Sequence, residues 1–130
     1  MSNIVLSLTV MPDRLAVCRL ERRAEIPEWA LKSHFFSVTR TLDELSIICP
    51  QENVPEGIKC SRDWRVLKLE GPFDFNLIGI MASILDPLAN EGVAVLTLST
   101  YDTDYLLVTA GQHERAVAVL AAAGHRINRV

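Results

Sequence analysis

The sequence predicts an α+β protein made of two related halves in tandem, at residues 1–62 and 63–130. Three observations predict this fold class. Short apolar segments alternate with polar turns at the spacing of β-strands. Two longer segments in the second half carry apolar residues at helical spacing. The strand–turn–strand pattern of residues 36–48 recurs at 96–108, an offset of 60 residues, which indicates an internal duplication.

The first half is predicted to contain strands and little helix. Strands are expected at 4–10, 15–20, 35–39 and 45–49. A turn at Met11–Asp13 is expected to separate the first two strands, and Pro27 is expected to begin a short helical turn. Residues 50–57 are rich in Pro, Asn and Gly, which is typical of a loop. We therefore interpret this half as a degenerate copy that has lost helix.

The second half has the complete element order β-α-β-β-α-β. The expected elements are a strand at 64–69, a helix from Phe75 to Gly92, strands at 93–99 and 105–109, a helix at 114–123 and a strand at 125–130. Asp74 is expected to cap the first helix, which Gly92 would end, as Gly124 would end the second. The apolar face of the first helix is predicted at Ile78, Met81, Ala82, Leu85 and Leu88. This order is that of the ferredoxin-like fold.

The composition limits the possible classes of protein. The chain has 130 residues, 49% of them hydrophobic, and a formal net charge of −3, which fits compact units with well-filled cores. The basic residues are scattered, so nucleic acid is not an expected partner. No signal peptide is evident, and no apolar segment reaches the roughly 18 residues needed to cross a bilayer. We therefore expect a cytoplasmic protein without a membrane partner.

The cysteines and histidines give no sign of a metal or redox centre. Cys18, Cys49 and Cys60 are odd in number and include no C-x-x-C pair. Cys18 and Cys49 lie within apolar strand-like segments, so we interpret them as core residues. The three histidines are far apart in sequence without metal-ligand spacing, which favours structural or solvent-facing roles. We expect neither a metal nor a cofactor.

The most distinctive polar segment is the turn at 99–104, which reads STYDTD between two apolar strands. Its carboxylates, Asp102 and Asp104, and its hydroxyl groups would converge at one end of a sheet, an arrangement that suits a small polar ligand. The alternative for both aspartates is an ordinary solvated turn, in which Asp is a favoured residue. The segment lacks a nucleophile, a metal-ligand set and a phosphate-binding loop, which favours binding over catalysis.

Three motifs together resemble those of tandem ACT-domain proteins, most closely the CASTOR-like group, whose animal members are cytosolic arginine sensors. The motifs read GPFDFNLIGI at 71–80, LDPLA at 85–89 and LSTYDTDYLLV at 98–108. The resemblance implies a non-catalytic homodimer that binds an amino acid, arginine or another, at an interface between ACT units. Carried over by matching positions, the implied ligand-binding residues are Gly71, Phe73, Asp74, Phe75, Asn76, Ser99, Thr100, Tyr101, Asp102 and Asp104.

A zwitterionic amino acid needs donors for its carboxylate and acceptors for its ammonium group. Free N–H groups at the start of the predicted helix would supply the donors, and Gly71 would let the ligand approach the backbone closely. The alternatives are a pure N-cap for Asp74 and an ordinary turn at Gly71. Two other functions stay open: a structural dimerisation module without a ligand, and a small enzyme that would depend on Cys60 or His125.

Overall fold

The computed structural model describes residues 4–71 and 78–129, and every statement of structure refers to these residues. Its contacts divide the chain into two compact units. The inserted unit is Asp13–Trp64, and the discontinuous unit combines Met1–Pro12 with Arg65–Val130. Residues 1–12 therefore belong to the same unit as the second half of the chain. The sequence predicted instead two continuous halves, at residues 1–62 and 63–130.

The elements in chain order are β1 (Ser7–Leu20), β2 (Ser37–Arg40), β3 (Leu45–Pro50), β4 (Cys60–Leu69), α1 (Ile80–Asn90), β5 (Leu96–Ser99), β6 (Asp104–Thr109), α2 (His113–Ala122) and β7 (Arg126–Arg129). Short 3-10 helices lie at Glu28–Leu31, Gln51–Asn53 and Ala110–Gln112. The predicted α+β class with ferredoxin-like units is confirmed. Within 4–71 and 78–129, the helices are all too short or too polar to cross a membrane.

The inserted unit keeps the strands of a ferredoxin-like unit without its α-helices. Its strands are hydrogen-bonded in the order β2–β3–β1–β4, the ferredoxin-like order. The 3-10 helices at Glu28–Leu31 and Gln51–Asn53 occupy the two places along the chain where a complete unit has α-helices. The predicted loss of helix in the first half is therefore confirmed. Its core consists of Ala16, Cys18, Ala30, Leu45, Ile47, Cys49 and Val54.

The predicted turn at Met11–Asp13 is wrong, because β1 continues through these residues without a break. The first part of β1 pairs in parallel with β7, from Ser7 to Val10, and its second part pairs with β3, from Leu15 onwards. Pro12 lies between these two ladders, so its missing N–H interrupts neither of them. A proline that is typical of a turn is compatible with a strand at such a position.

The discontinuous unit contains the predicted β-α-β-β-α-β order together with a strand that sequence reasoning did not assign to it. Its strands are ordered β5–β6–β4–β1, and β7 pairs with the other edge of β1. The first part of β1 therefore lies between β4 and β7, the first and last strands of the predicted unit. The main core residues are Leu8, Val10, Leu67, Leu69, Ile84, Leu88, Leu106, Val108 and Leu120.

α1 begins at Ile80, so the predicted start at Phe75 is wrong. Gly79, with φ of +84°, precedes the first turn at the place expected for Asp74, which lies outside the described residues. A positive φ is unfavourable for residues with a Cβ atom, so glycine is the natural residue at this junction. Ile78 precedes the helix and is 91% exposed, against the prediction that it belongs to the apolar face.

The apolar face of α1 is consequently shifted from the predicted one. Ile84 and Leu88 are fully buried, and Leu85 packs against the same core, whereas Ala82 is exposed. The predictions for Met81, Leu85 and Leu88 are confirmed, since all three contact the core. The late start of the helix explains the error at Ile78, which precedes the helix.

Both helices end in the predicted way, at a glycine in the left-handed conformation. Gly92 has φ of +72° and Gly124 has φ of +99°. After α1, the N–H of Gly92 donates to the Ala89 carbonyl at 3.0 Å, and that of Val93 donates to the Leu88 carbonyl at 2.9 Å. The corresponding bonds after α2 measure 3.0 and 3.1 Å. These are the two bonds of the Schellman motif, which satisfies carbonyls at the end of a helix.

A buried histidine compensates for the proline inside α1. Pro87 has no N–H, so the Ser83 carbonyl, four residues earlier, lacks its helical donor. Nε2 of His125 lies 2.9 Å from this oxygen, while the N–H of Leu6 donates to Nδ1 at 3.1 Å. Because Nδ1 accepts, Nε2 carries the proton, and both nitrogens of the buried ring are satisfied. The structural role predicted for His125 is confirmed.

Candidate ligand-binding site

The β5–β6 hairpin carries the polar turn that the sequence singled out. Ser99 lies opposite Asp104 and Leu96 lies opposite Leu107, so the predicted strand–turn–strand arrangement is confirmed. The N–H of Thr100 donates to the Thr103 carbonyl at 2.8 Å. The N–H of Thr103 donates to the Thr100 hydroxyl at 3.3 Å. The turn is therefore held by its own backbone and by a threonine side chain.

Thr103 attaches this turn to the end of β4. The residue is only 7% exposed, and its hydroxyl donates to the Leu69 carbonyl at 2.6 Å. Leu69 is the last residue of β4 and is followed directly by Glu70 and Gly71. Because the strand ends two residues before Gly71, the bond brings this predicted ligand-binding glycine close to the hairpin turn.

Two carboxylates near the turn are oriented by hydroxyl groups. The Ser99 hydroxyl donates to Oδ1 of Asp104 across the closing pair of the hairpin. The Thr9 hydroxyl donates to Oε2 of Glu70 at 2.6 Å, and the N–H of Glu70 donates to the Ser7 carbonyl at 2.8 Å. Carboxylates held in this way are acceptors for an ammonium or guanidinium group.

The structure places the predicted site residues in three groups. Gly71, Ser99, Thr100 and Asp104 lie around the end of β4 and the start of the turn, while Tyr101 and Asp102 lie at its exposed tip. The remaining four, Phe73, Asp74, Phe75 and Asn76, lie outside the described residues. The ligand-binding roles of all ten residues stay predictions.

Sequence reasoning missed three residues that shape this region: Thr9, Glu70 and Thr103. Thr9 belongs to the part of β1 that lies beside β4, a non-local pairing without a local signal. Thr103 belongs to the polar turn but was not among its predicted ligand-binding residues. Its burial depends on the tertiary position of the turn, which local sequence does not determine.

The inserted unit contains a corresponding hairpin, β2–β3. The N–H of Thr41 donates to the Glu44 carbonyl at 2.9 Å, and the Thr41 hydroxyl accepts from the N–H of Glu44 at 3.2 Å. Arg40 lies opposite Leu45, as Ser99 lies opposite Asp104. Thr41 thus corresponds to Thr100, and the two hairpins correspond at an offset of 59 residues. The predicted offset of 60 is wrong by one, because the hydrogen-bond register decides the correspondence where few residues are identical.

The three cysteines are free, and Cys18 and Cys49 belong to the core of the inserted unit, as predicted. Burial, together with the neighbouring thiols, raises the pKa of the Cys18 thiol to about 12. Burial likewise raises the pKa of Cys49. Both groups are therefore protonated at neutral pH, as expected of core residues. Across the described part of the chain, no cluster of His, Cys, Asp or Glu side chains is suited to hold a metal ion.

Comparison with known families accounts for this architecture. Residues 59–122 match the family model of the ACT domain, and residues 13–57 match a separate model of an N-terminal domain. Residues 59–122 of this chain are an ACT domain. The resemblance inferred from the three motifs is thereby confirmed.

Individual relatives agree with this assignment. The cytosolic arginine sensor for mTORC1 subunit 1 from Bos taurus is 32% identical over 85 residues, which are 57% of this chain and 26% of that protein. The ACT-domain chain therefore spans about a quarter of the length of this relative. A protein of known crystal structure from Agrobacterium tumefaciens is 35% identical, with a TM-score of 0.92 over 98% of this chain and 95% of that one.

A more remote relative shows the same fold. The regulatory subunit of aspartate kinase from Thermus flavus is 11% identical and has a TM-score of 0.63. The similarity covers 92% of this chain and 97% of that subunit. At this level of identity the likeness concerns the fold alone, which agrees with two ferredoxin-like units in one chain.

Proposed function

We propose that this protein is a non-catalytic regulatory protein whose ACT domain, at residues 63–130, binds a free amino acid. The observation that carries the proposal is the bond from Thr103 to the Leu69 carbonyl, which holds the polar turn at the end of β4, two residues before Gly71. The match to the ACT domain supports a regulatory role. The relative named as an arginine sensor supports arginine as the first ligand to test.

The chemistry of the turn suits the cationic part of such a ligand. Asp104 and Glu70 accept bonds from Ser99 and Thr9, so their carboxylates are already oriented before a ligand arrives. Preorganised groups lose less conformational entropy on binding than mobile ones. Charge-assisted bonds to a guanidinium or ammonium group are stronger than neutral ones. Asp102, at the exposed tip, is a further acceptor for the same cation.

The regulatory effect would follow from linkage between ligand and assembly. We propose a cytoplasmic homodimer in which the ligand binds at an interface between ACT units, and in which residues 1–62 form the degenerate half. A ligand that binds one assembly better than another shifts the population towards it. The protein would then report the amino acid through its oligomeric state or its affinity for a partner.

A thermal-shift screen of the full chain against the twenty amino acids tests this proposal. At a ligand concentration of about 100 times Kd, binding stabilises the folded state by roughly 2.7 kcal/mol, which raises Tm by about 5 °C or more. We expect a selective rise with one amino acid or a small related group. An unchanged Tm across the whole panel at millimolar concentrations would contradict ligand binding and favour the structural dimerisation module.

A further inference from the structure

β1 and β4 pair in a register that places two cysteines opposite each other in the inserted unit. The N–H of Arg19 donates to the Lys59 carbonyl at 2.9 Å, and the N–H of Glu70 donates to the Ser7 carbonyl at 2.8 Å. Residue numbers rise along one strand as they fall along the other, so the pair is antiparallel. β1 has one more residue than β4 between these two bonds, so the Arg19–Lys59 bond alone sets the register near the cysteines. In an antiparallel pair such bonds join directly opposed residues. Arg19 therefore lies opposite Lys59, and the next pair along the two strands is Cys18 opposite Cys60.

This position has the geometry that a disulfide needs. Cys18 and Cys60 neighbour a hydrogen-bonded pair, so they form a non-hydrogen-bonded pair, in which Cα atoms lie about 4.5 Å apart. Disulfides bridge Cα atoms that are roughly 4.4–6.8 Å apart. Cys60 packs against the core cluster that contains Cys18. Directly opposed residues project from the same face of a sheet, so the two side chains are neighbours there.

The third cysteine is less well placed for a bridge. Cys49 lies opposite Ala16 in the β1–β3 pair, and Cys18 lies opposite Ile47. Cys18 and Cys49 are thus diagonal neighbours, for which Cα atoms are about 7–8 Å apart. This separation exceeds the disulfide range, so the register selects Cys60 as the partner of Cys18.

Cys60 gives solvent access to the pair. Cys18 is only 2% exposed, whereas Cys60 is partly exposed. A small disulfide therefore reaches Cys60 first, and reaches Cys18 only through Cys60.

We propose that Cys18 and Cys60 form an intramolecular disulfide by exchange with a small disulfide of the glutathione type. The Cys60 thiol releases its proton to solvent, and its sulfur attacks glutathione disulfide, whose S–S bond breaks to release one glutathione thiolate. Cys18 then releases its proton to solvent and attacks the Cys60 sulfur, which expels the second glutathione thiolate. The two cysteines lose two electrons in total, and glutathione disulfide gains them.

The second step depends on pH because burial holds the pKa of Cys18 near 12. Only the thiolate attacks, and its fraction rises about tenfold per pH unit below the pKa. We therefore expect the mixed disulfide on Cys60 to convert to the intramolecular disulfide about ten times faster at pH 8.5 than at pH 7.5.

Peptide mapping of the full chain tests the proposal. The folded protein is incubated with glutathione disulfide, its free thiols are blocked with N-ethylmaleimide, and it is digested with trypsin without reduction. The three cysteines then lie in different peptides, at 15–19, 41–59 and 60–62. We expect mass spectrometry to show the peptides of Cys18 and Cys60 linked, and the peptide of Cys49 alkylated.

Serine variants supply the matched controls. Cys49→Ser should form the same disulfide, and Cys18→Ser should stop at a glutathione adduct on Cys60. A link from Cys18 to Cys49, a stable glutathione adduct in the unaltered chain, or retention of all three thiols after prolonged incubation at pH 8.5 would overturn the proposal. Because the decisive map uses the unaltered chain, it does not depend on the folding of any variant.

Discussion

The β2–β3 and β5–β6 hairpins have the same backbone and differ mainly in the side chains at the ends of their strands. Each has a four-residue turn that begins with a threonine and has aspartate in its third position, Asp43 in one turn and Asp102 in the other. The second position is exposed in both, Leu42 by 86% and Tyr101 by 80%. The duplication has therefore preserved the turn itself.

The two copies differ at the residue pair that flanks each turn, Arg40 with Leu45 in one hairpin and Ser99 with Asp104 in the other. In the inserted unit, Leu45 is fully buried, and the Arg40 guanidinium donates to the carbonyls of Arg22 and Ala24. In the discontinuous unit, the same positions hold Asp104 and Ser99, which are hydrogen-bonded to each other. One copy uses the end of its hairpin for packing, and the other presents a carboxylate there. Two positions thus account for most of the chemical difference between equivalent turns.

The first residue after the turn, Leu45 in one hairpin and Asp104 in the other, should show the largest difference in its effect on stability. Leu45→Asp places a carboxylate in a fully buried site, and we expect it to lower the free energy of unfolding by about 4 kcal/mol or more. The reverse change, Asp104→Leu, should alter it by less than about 1 kcal/mol. Denaturant unfolding followed by the fluorescence of Trp29, which packs against the inserted core, measures the first change. Equal effects of the two substitutions would show that the positions are not used differently.

The α-helices are a second difference between the two units, since the inserted unit has 3-10 helices in their places. The bond from His125 to α1 therefore has no counterpart in the inserted unit. His125→Ala leaves the Ser83 carbonyl and the Leu6 N–H without their partners, and we expect a loss of about 2–4 kcal/mol. Pro87→Ala restores a backbone donor for Ser83 and should recover about 1 kcal/mol in the double variant. A double-mutant cycle on the free energy of unfolding measures this coupling, and strict additivity would contradict the compensation.

The fourth residue of the turn, Glu44 in one hairpin and Thr103 in the other, should show a smaller difference in its effect on stability. Thr103→Val removes the hydroxyl that donates to the buried Leu69 carbonyl, and we expect a loss of about 1–3 kcal/mol. Glu44→Gln changes the matched position of the other hairpin and should stay within about 0.5 kcal/mol of the unaltered protein. Urea unfolding of both variants checks the difference. If Thr103→Val were as mild as its control, the turn would not be held to β4 by this bond.

The features that could be predicted from sequence are those with a local cause. Alternating apolar residues identified the four strands of both hairpins, and Gly92 and Gly124 marked the ends of the helices because a left-handed residue there favours glycine. The start of α1 was misplaced because Asp74 has the chemistry of a cap, whereas the chain uses Gly79. Sequence pattern alone does not distinguish these two positions.

The features that could not be predicted depend on contacts between distant parts of the chain. The path of β1 past Pro12 depends on its pairing with β7 and β3, not on the local preference of proline for turns. The role of Thr9 follows from that path, and the role of Thr103 follows from the position of the turn beside β4. The carboxylates of the polar turn were therefore identified from sequence, and the contacts that hold the turn were not.

The central claim, that the turn of the discontinuous unit binds an amino acid, is tested most directly by calorimetric titration of three proteins, one of them altered in the equivalent turn of the inserted unit. Arginine, or the amino acid selected by the thermal screen, is titrated into the unaltered chain, Asp102→Asn and the matched control Asp43→Asn. We expect binding to the unaltered chain and to Asp43→Asn with the same Kd, and a Kd about ten times higher for Asp102→Asn. No binding to the unaltered chain at millimolar ligand, or an equal loss in both variants, would contradict the account.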